Sequence, residues 1–170
     1  MIEVREARPD EWATAGAVTA AAYQEFFVSG ALAHRWDRPE DYLSRLADVA
    51  RRAQQTLVLV ALLDGEIVGS ATVELDGRIE PDSPPPAPGT AHLRMVGVSP
   101  TARRQGVARA LIAASIDAAR AAGRDVLTLH TTAAMAGAQR LYEGLGFVRG
   151  ADSPLGDDLV LLSFSLSLTG

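Results

Sequence analysis

The sequence predicts an α/β (α+β) fold made as a single domain spanning residues 1–170. Three observations lead there. Strand-like and helix-like stretches interleave along the whole chain, as in layered α/β proteins. Asp64-Gly65 joins two β-rich runs, the strongest short-range hairpin signal. Two helical stretches, 105–122 and 133–145, alternate with strand-like runs in the second half.

The elements follow in order. Residues 2–8 alternate weakly and read as a first strand. Pro9-Asp10-Glu11 places proline and acids in the first turn of a helix running to Phe27, which Ser29-Gly30 ends. A loop carrying His34, Arg35 and Trp36 leads to a second helix over 39–54, with Tyr42, Leu43, Leu46 and Val49 on one face. Strands are predicted over 56–63 and 66–75. The stretch 76–89 holds five of the nine prolines and reads as a loop. A strand over 91–98, a helix over 105–122 closed by Gly123, and a strand over 125–130 come next. The helix over 133–145 ends at Gly146, and strands over 147–150 and 159–168 complete the sheet. In the last strand apolar residues alternate with serines, so one face is expected to be less buried.

Composition excludes several chemistries. The chain has no cysteine, which rules out disulfides, thiolate metal sites and cysteine nucleophiles. All sixteen Lys+Arg positions are arginine, a bias we attribute to a GC-rich genome, and no lysine is present to form a Schiff base. The three histidines include no H-x-x-x-H pair, so no catalytic zinc is expected. A net charge of −5 argues against a nucleic-acid partner. No apolar run reaches the roughly 20 residues that span a bilayer, and Met1 to Glu6 lacks the apolar core of a secretory signal, so no membrane association and a cytoplasmic location are expected.

The segment from Val96 to Ala108 carries the most chemistry. A strand ending in Val96-Gly97-Val98 is followed by Ser99-Pro100 and then by Arg103-Arg104-Gln105-Gly106-Val107-Ala108-Arg109, which opens a helix. A helix N-terminus leaves backbone N–H groups unpaired and carries the positive dipole end. Gly106 and Ala108 let a pyrophosphate approach those groups, and the arginines add complementary charge. The turn is neither a Walker A loop nor a three-glycine dinucleotide fingerprint, and by itself R-x-x-G-x-A is common.

Taken with the strand before it and Leu141-Tyr142-Glu143-Gly144-Leu145-Gly146-Phe147 after it, the segment resembles the GNAT superfamily of acetyl-coenzyme A-dependent N-acetyltransferases. The resemblance is sharpest over 91–149. It implies a mixed, mostly antiparallel sheet of about seven strands with helices on both faces and splayed fourth and fifth strands. It also implies acetyl-CoA as acyl donor, inserted between those strands, with the backbone of Val96, Gly97 and Val98 pairing with pantetheine. The amide of Val96 or of Gly97 then polarises the thioester carbonyl, and Gly97 is expected to mark the bulge that opens the splay.

Tyr142 matches the family tyrosine that protonates the leaving thiolate, a role a neutral phenol of pKa about 10 can fill. Where the family often carries asparagine seven residues earlier, this chain has Met135, which packs on pantetheine without the amide hydrogen bonds; Thr131 and Thr132 can supply hydroxyls instead. For the general base, His92 stands where some members have a glutamate, and Glu74 competes; His130 is a weaker candidate. Strand parity puts Arg94 on the face of His92, where it would orient a substrate carboxylate or lower the histidine pKa. Acceptor recognition falls to the first two helices and the proline-rich loop, with Tyr23, Phe26, Phe27, His34, Trp36 and Tyr42 either lining a pocket or packing in the core. The expected activity is direct acetyl transfer to a small-molecule or protein amine in a ternary complex, with no metal and with a homodimer compatible. The alternative is an acyl-CoA-binding sensor with weak or no turnover.

Overall fold

The computed structural model describes residues 1–27, 39–78, 85–132, 136–154 and 160–169. Eight strands occur among them: β1 Ile2–Glu6, β2 Leu57–Leu63, β3 Glu66–Glu74, β4 Thr90–Val98, β5 Val126–Thr132, β6 Val148–Arg149, β7 Ser153–Pro154 and β8 Val160–Ser167. The helices are α1 Trp12–Phe27, α2 Pro39–Ala47, α3 Val49–Arg52, α4 Val107–Ala121 and α5 Ala136–Gly144. The sheet is mixed, as expected: β4 and β5 run parallel, whereas β1 with β2, and β8 with each of β5, β6 and β7, are antiparallel. The two-residue β7 was not expected, because Ser153-Pro154 has neither strand length nor apolar alternation and is extended by pairing with Leu161 and Val160.

Backbone contacts divide the chain into two compact units, Met1–Thr72 with Met95–Ala114, and Val73–Arg94 with Ser115–Gly170. In the first, the strand order is β1-β2-β3-β4. β2 is buried along nearly all of Leu57–Leu63, which explains its unbroken apolar sequence. Val58, Val60 and Leu62 pack with Ala7, Ala15 and Val49, and Trp12, Ala53 and Ile67 flank them. Asp64 (φ 51°) and Gly65 (φ 88°) are both left-handed, the conformation a two-residue hairpin turn requires.

Two helix boundaries differ from expectation. Pro9–Glu11 forms a 3-10 turn before α1. It is held by Glu11, which accepts from the Arg8 amide at 2.9 Å and from Arg5 through both oxygens at 2.8 and 2.7 Å. The predicted helix over 39–54 is two helices separated at Asp48 (φ −82°, ψ 65°), whose carboxylate caps α3 by accepting from the Arg51 amide. Buried Arg52 then donates to the last carbonyls of α2, Arg45 O at 2.8 Å and Leu46 O at 3.0 Å, and to Thr72 Oγ1 at 3.1 Å. Helical periodicity cannot distinguish this arrangement, because Leu46 and Val49 are buried on either side of the break.

In the second unit the order is β4-β5-β8-β6, with β7 also on β8. Thr90–Leu93 of β4 pair with Val126–Leu129 of β5. β8 pairs along all of β5, from Val126↔Ser167 to Thr132↔Leu161. Leu162 and Phe164 are buried and Ser167 is exposed, so the apolar–serine alternation separates the faces of β8.

The close approach of α1 and α2 generates one stability prediction. A Cβ on Gly16 would overlap the Ala47 carbonyl and approach its Cα to 3.0 Å. Backbone cannot yield as a side chain does, so Gly16→Ala should destabilise by about 1–3 kcal/mol despite alanine's better helix propensity. Equilibrium denaturation checks this; an unchanged or raised midpoint would refute the packing argument.

Candidate active site

The cradle residues all belong to the first unit. Val96 and Val98 are half-buried and Gly97 is buried. The Ser99 amide donates to Val68 O at 2.7 Å, which ties the end of β4 to β3. Gly97, expected to mark the bulge, does not have left-handed backbone. That conformation falls on Met95 (φ 54°), while Gly97 is required for a different reason: a Cβ there would lie 3.0 Å from the Ala22 Cβ of α1. Bulge glycine and packing glycine look the same in a sequence.

After a 3-10 turn over Pro100–Ala102 the chain is extended at Arg103, left-handed at Arg104 (φ 63°) and left-handed again at Gly106 (φ 84°). Arg103, Arg104, Gln105 and Gly106 are exposed, and Val107 is buried at the first turn of α4. Two left-handed residues, Arg104 and Gly106, thus shape the turn immediately before α4, whose N-terminus leaves backbone N–H groups without helical partners. A Cβ at Gly106 would meet nothing nearer than Ile2 Cδ1 at 3.9 Å, so the space over the turn is open and backbone conformation is the constraint. Arg109 is exposed on the same first turn. Gly69 of β3, not singled out from the sequence, lets α4 sit close: its Cβ would lie 3.0 Å from both Val107 Cγ1 and Leu111 Cδ1. An isolated glycine inside a strand was the available signal.

The candidate acid and bases belong to the second unit. His92, 2 % exposed, is buried rather than solvent-facing. Its Nδ1 lies 2.8 Å from Thr128 Oγ1, its register partner on β5, and its ring centroid 5.1 Å from that of His130. Burial first, then the neighbouring His130 and Arg94 charges, push its pKa down to about 3. His130 is exposed, and desolvation lowers its pKa too. Glu74 is buried and accepts from Arg94 Nη2 at 2.5 Å. Arg94 thus depresses the histidine, as parity suggested, and also neutralises the competing carboxylate.

Tyr142 is buried on α5, with Phe164 and Phe147 ring centroids 5.7 and 5.9 Å away. Desolvation raises its phenol to about 12, so it stays protonated at working pH. Thr131 and Thr132 are both buried at the end of β5, and the Thr132 Oγ1 has no hydrogen-bond partner among the described residues. Met135, together with His34, Trp36 and Ser29-Gly30, lies outside the described residues, as do the side chains of Phe26 and Phe27; Tyr23 and Tyr42 are half-buried. Among the described residues no cluster of metal-ligating side chains occurs, and no helix is long and apolar enough to cross a membrane.

His92 has a consequence for stability. Its folded pKa, about 3, lies below the unfolded value of 6.5. The unfolded chain therefore binds this proton first, and stability falls as pH drops through 6.5 toward 3, at up to about 1.4 kcal/mol per pH unit from this group. Denaturation of wild type and His92→Gln across that range should show a shallower acid slope in the variant; parallel slopes would contradict the buried neutral ring.

Comparison with known proteins identifies the family and the fold. The acetyltransferase (GNAT) family model matches residues 18–147. Mycothiol acetyltransferase from Thermobispora bispora is 32% identical over 118 residues, 66% of this chain but only 39% of that protein's length. The yncA protein of Salmonella typhimurium, solved with acetyl-CoA, superposes with a TM-score of 0.70 at 24% identity over 100% of this chain and 95% of its own. A GNAT-family protein from Desulfovibrio desulfuricans gives a TM-score of 0.73 at 20% identity, covering 99% and 100% of the two chains. The ribosomal-protein-alanine N-acetyltransferase of Brucella melitensis gives 0.68 at 23% identity, covering 97% and 99%. These structures share the fold, and the family match spans most of the sequence: the chain belongs to the acetyltransferase (GNAT) family.

Proposed function

We propose that this protein is an N-acetyltransferase that moves an acetyl group from acetyl-CoA to a primary amine by direct attack in a ternary complex. The observation that carries the reading is the backbone around the cradle. Three non-glycine residues are left-handed among the described ones; Asp64 is accounted for by its hairpin, and the other two, Met95 and Arg104, flank Val96–Val98 and open the turn into α4. Such conformations cost about 1–3 kcal/mol each and persist where function requires them. The residues fit the donor: the turn from Arg103 to Arg109 offers exposed amides, open space at Gly106 and arginine charge for a pyrophosphate. In this reading the backbone of Val96, Gly97 and Val98 holds the pantetheine arm, and the Val96 or Gly97 amide stabilises the developing oxyanion.

The amine must lose a proton and the departing thiolate must gain one. Tyr142 serves as the donor. His92 serves as acceptor in its neutral form, directly or through water. A ring so reluctant to hold charge passes the proton on, and exposed His130 offers a route outward. Glu74, held by Arg94, is the weaker choice. The occupied carboxylate and the depressed histidine also favour a second reading, an acyl-CoA sensor with little turnover. The domain is read as one over 1–170, with a metal-free, cytoplasmic mode of action.

Thiol release from acetyl-CoA across a panel of amines separates the two. Turnover reduced about a hundredfold in Tyr142→Phe with unchanged acetyl-CoA affinity supports the enzyme; tight binding without turnover on any amine supports the sensor. Gly106→Glu should abolish coenzyme A binding by calorimetry with the fold retained, and unchanged affinity would remove the cradle. Because His92 titrates near 3, kcat/KM should show no histidine inflection between about pH 5 and 9, only the rise from the acceptor's own ammonium group; a break near 6.5 would point to another base.

A further inference from the structure

We propose that Thr128 is a positioning residue that holds His92 as its Nδ1–H tautomer and so leaves Nε2 as the ring's proton acceptor, an inference that rests on the reading of His92 as base. The argument is a hydrogen-bond count. Thr128 Oγ1 has one hydrogen and two close partners, His92 Nδ1 at 2.8 Å and the Ala91 carbonyl at 3.3 Å. A carbonyl only accepts, so the hydroxyl hydrogen must point to Ala91 O if that contact is to be attractive. The lone pair left on Oγ1 then accepts from His92, which requires hydrogen on Nδ1. The opposite assignment, hydroxyl to Nδ1, would set two oxygen lone pairs against each other at Ala91. Only one protonation pattern satisfies both contacts.

The surroundings keep that pattern neutral and singular. His92 is buried at 2 % exposure, so an unsatisfied Nδ1–H would be costly. Arg94, paired with Glu74, and His130 are the charged and titratable neighbours, and both oppose a second proton on the ring. Register makes the contact possible: His92 of β4 stands opposite Thr128 of β5 in the parallel ladder, and Ala91 precedes it on the same strand. The chain Nδ1–H to Oγ1–H to carbonyl therefore runs between two paired strands rather than through a mobile loop. A histidine whose Nδ1 is committed in this way has one basic nitrogen at all times and loses no fraction to the wrong tautomer.

The test combines nitrogen NMR with kinetics. In 15N-histidine-labelled protein, with the His92 signals identified by His92→Gln, wild type at neutral pH should show the Nδ1–H tautomer. Thr128→Val, nearly isosteric and suited to a strand, should shift His92 toward Nε2–H and lower kcat about tenfold while leaving the KM for acetyl-CoA unchanged. Thr128→Ser should restore both. An Nε2–H tautomer in wild type, an unaltered tautomer in Thr128→Val, or a shifted tautomer with unchanged kcat each overturns the proposal. If wild type acetylates no amine, the functional reading fails, while the tautomer in Thr128→Val still decides whether Thr128 sets the ring.

Discussion

The left-handed backbone at Met95, within β4, is the constraint around which the candidate site is arranged. Before it, Thr90–Leu93 of β4 are engaged with β5 in a parallel ladder. Val96–Val98 follow it in the same strand and lead within a few residues to a second left-handed residue at Arg104. Methionine is a poor choice for a left-handed position, so packing around it must supply what its own conformational preference withholds.

Close approach of helices to strands sets the positions that surround this residue. Gly97 accommodates α1 and Gly69 accommodates the first turn of α4, each where a single methyl group would intrude. The α4 N-terminus is held through buried Val107 and Leu111, while Arg103, Arg104 and Arg109 beside it are exposed. Rigidity comes from the apolar side of the helix and ligand chemistry from the polar end, so the two requirements do not compete for the same residues.

Two polar groups buried in the second unit, Glu74 and His92, are paired rather than left isolated. Glu74 has Arg94, and His92 has Thr128. Pairing offsets part of the penalty for burying them, but it also changes what each can do. The carboxylate is neutralised by its partner, and the histidine is uncharged at physiological pH. A residue type chosen for its ordinary pKa can therefore differ in reactivity once its neighbours are known.

Element order and the Asp64-Gly65 hairpin were legible in the sequence because turn conformation, helix capping and periodicity act over a few residues, whereas the arginine–glycine turn and Tyr142 took their meaning from the family resemblance that their spacing carries. The break at Asp48, the extension of Ser153-Pro154 and the left-handed backbone at Met95 were not legible, because partners distant in sequence impose them. The same division holds at the site. The sequence by itself determined the candidate donors and the family to which they belong. Only tertiary structure decided that Glu74 is engaged, that His92 is buried against Thr128, and that Gly69 and Gly97 serve packing. Protonation state and tautomer follow from what lies within a few ångströms, and those neighbours come from strands and helices far apart along the chain.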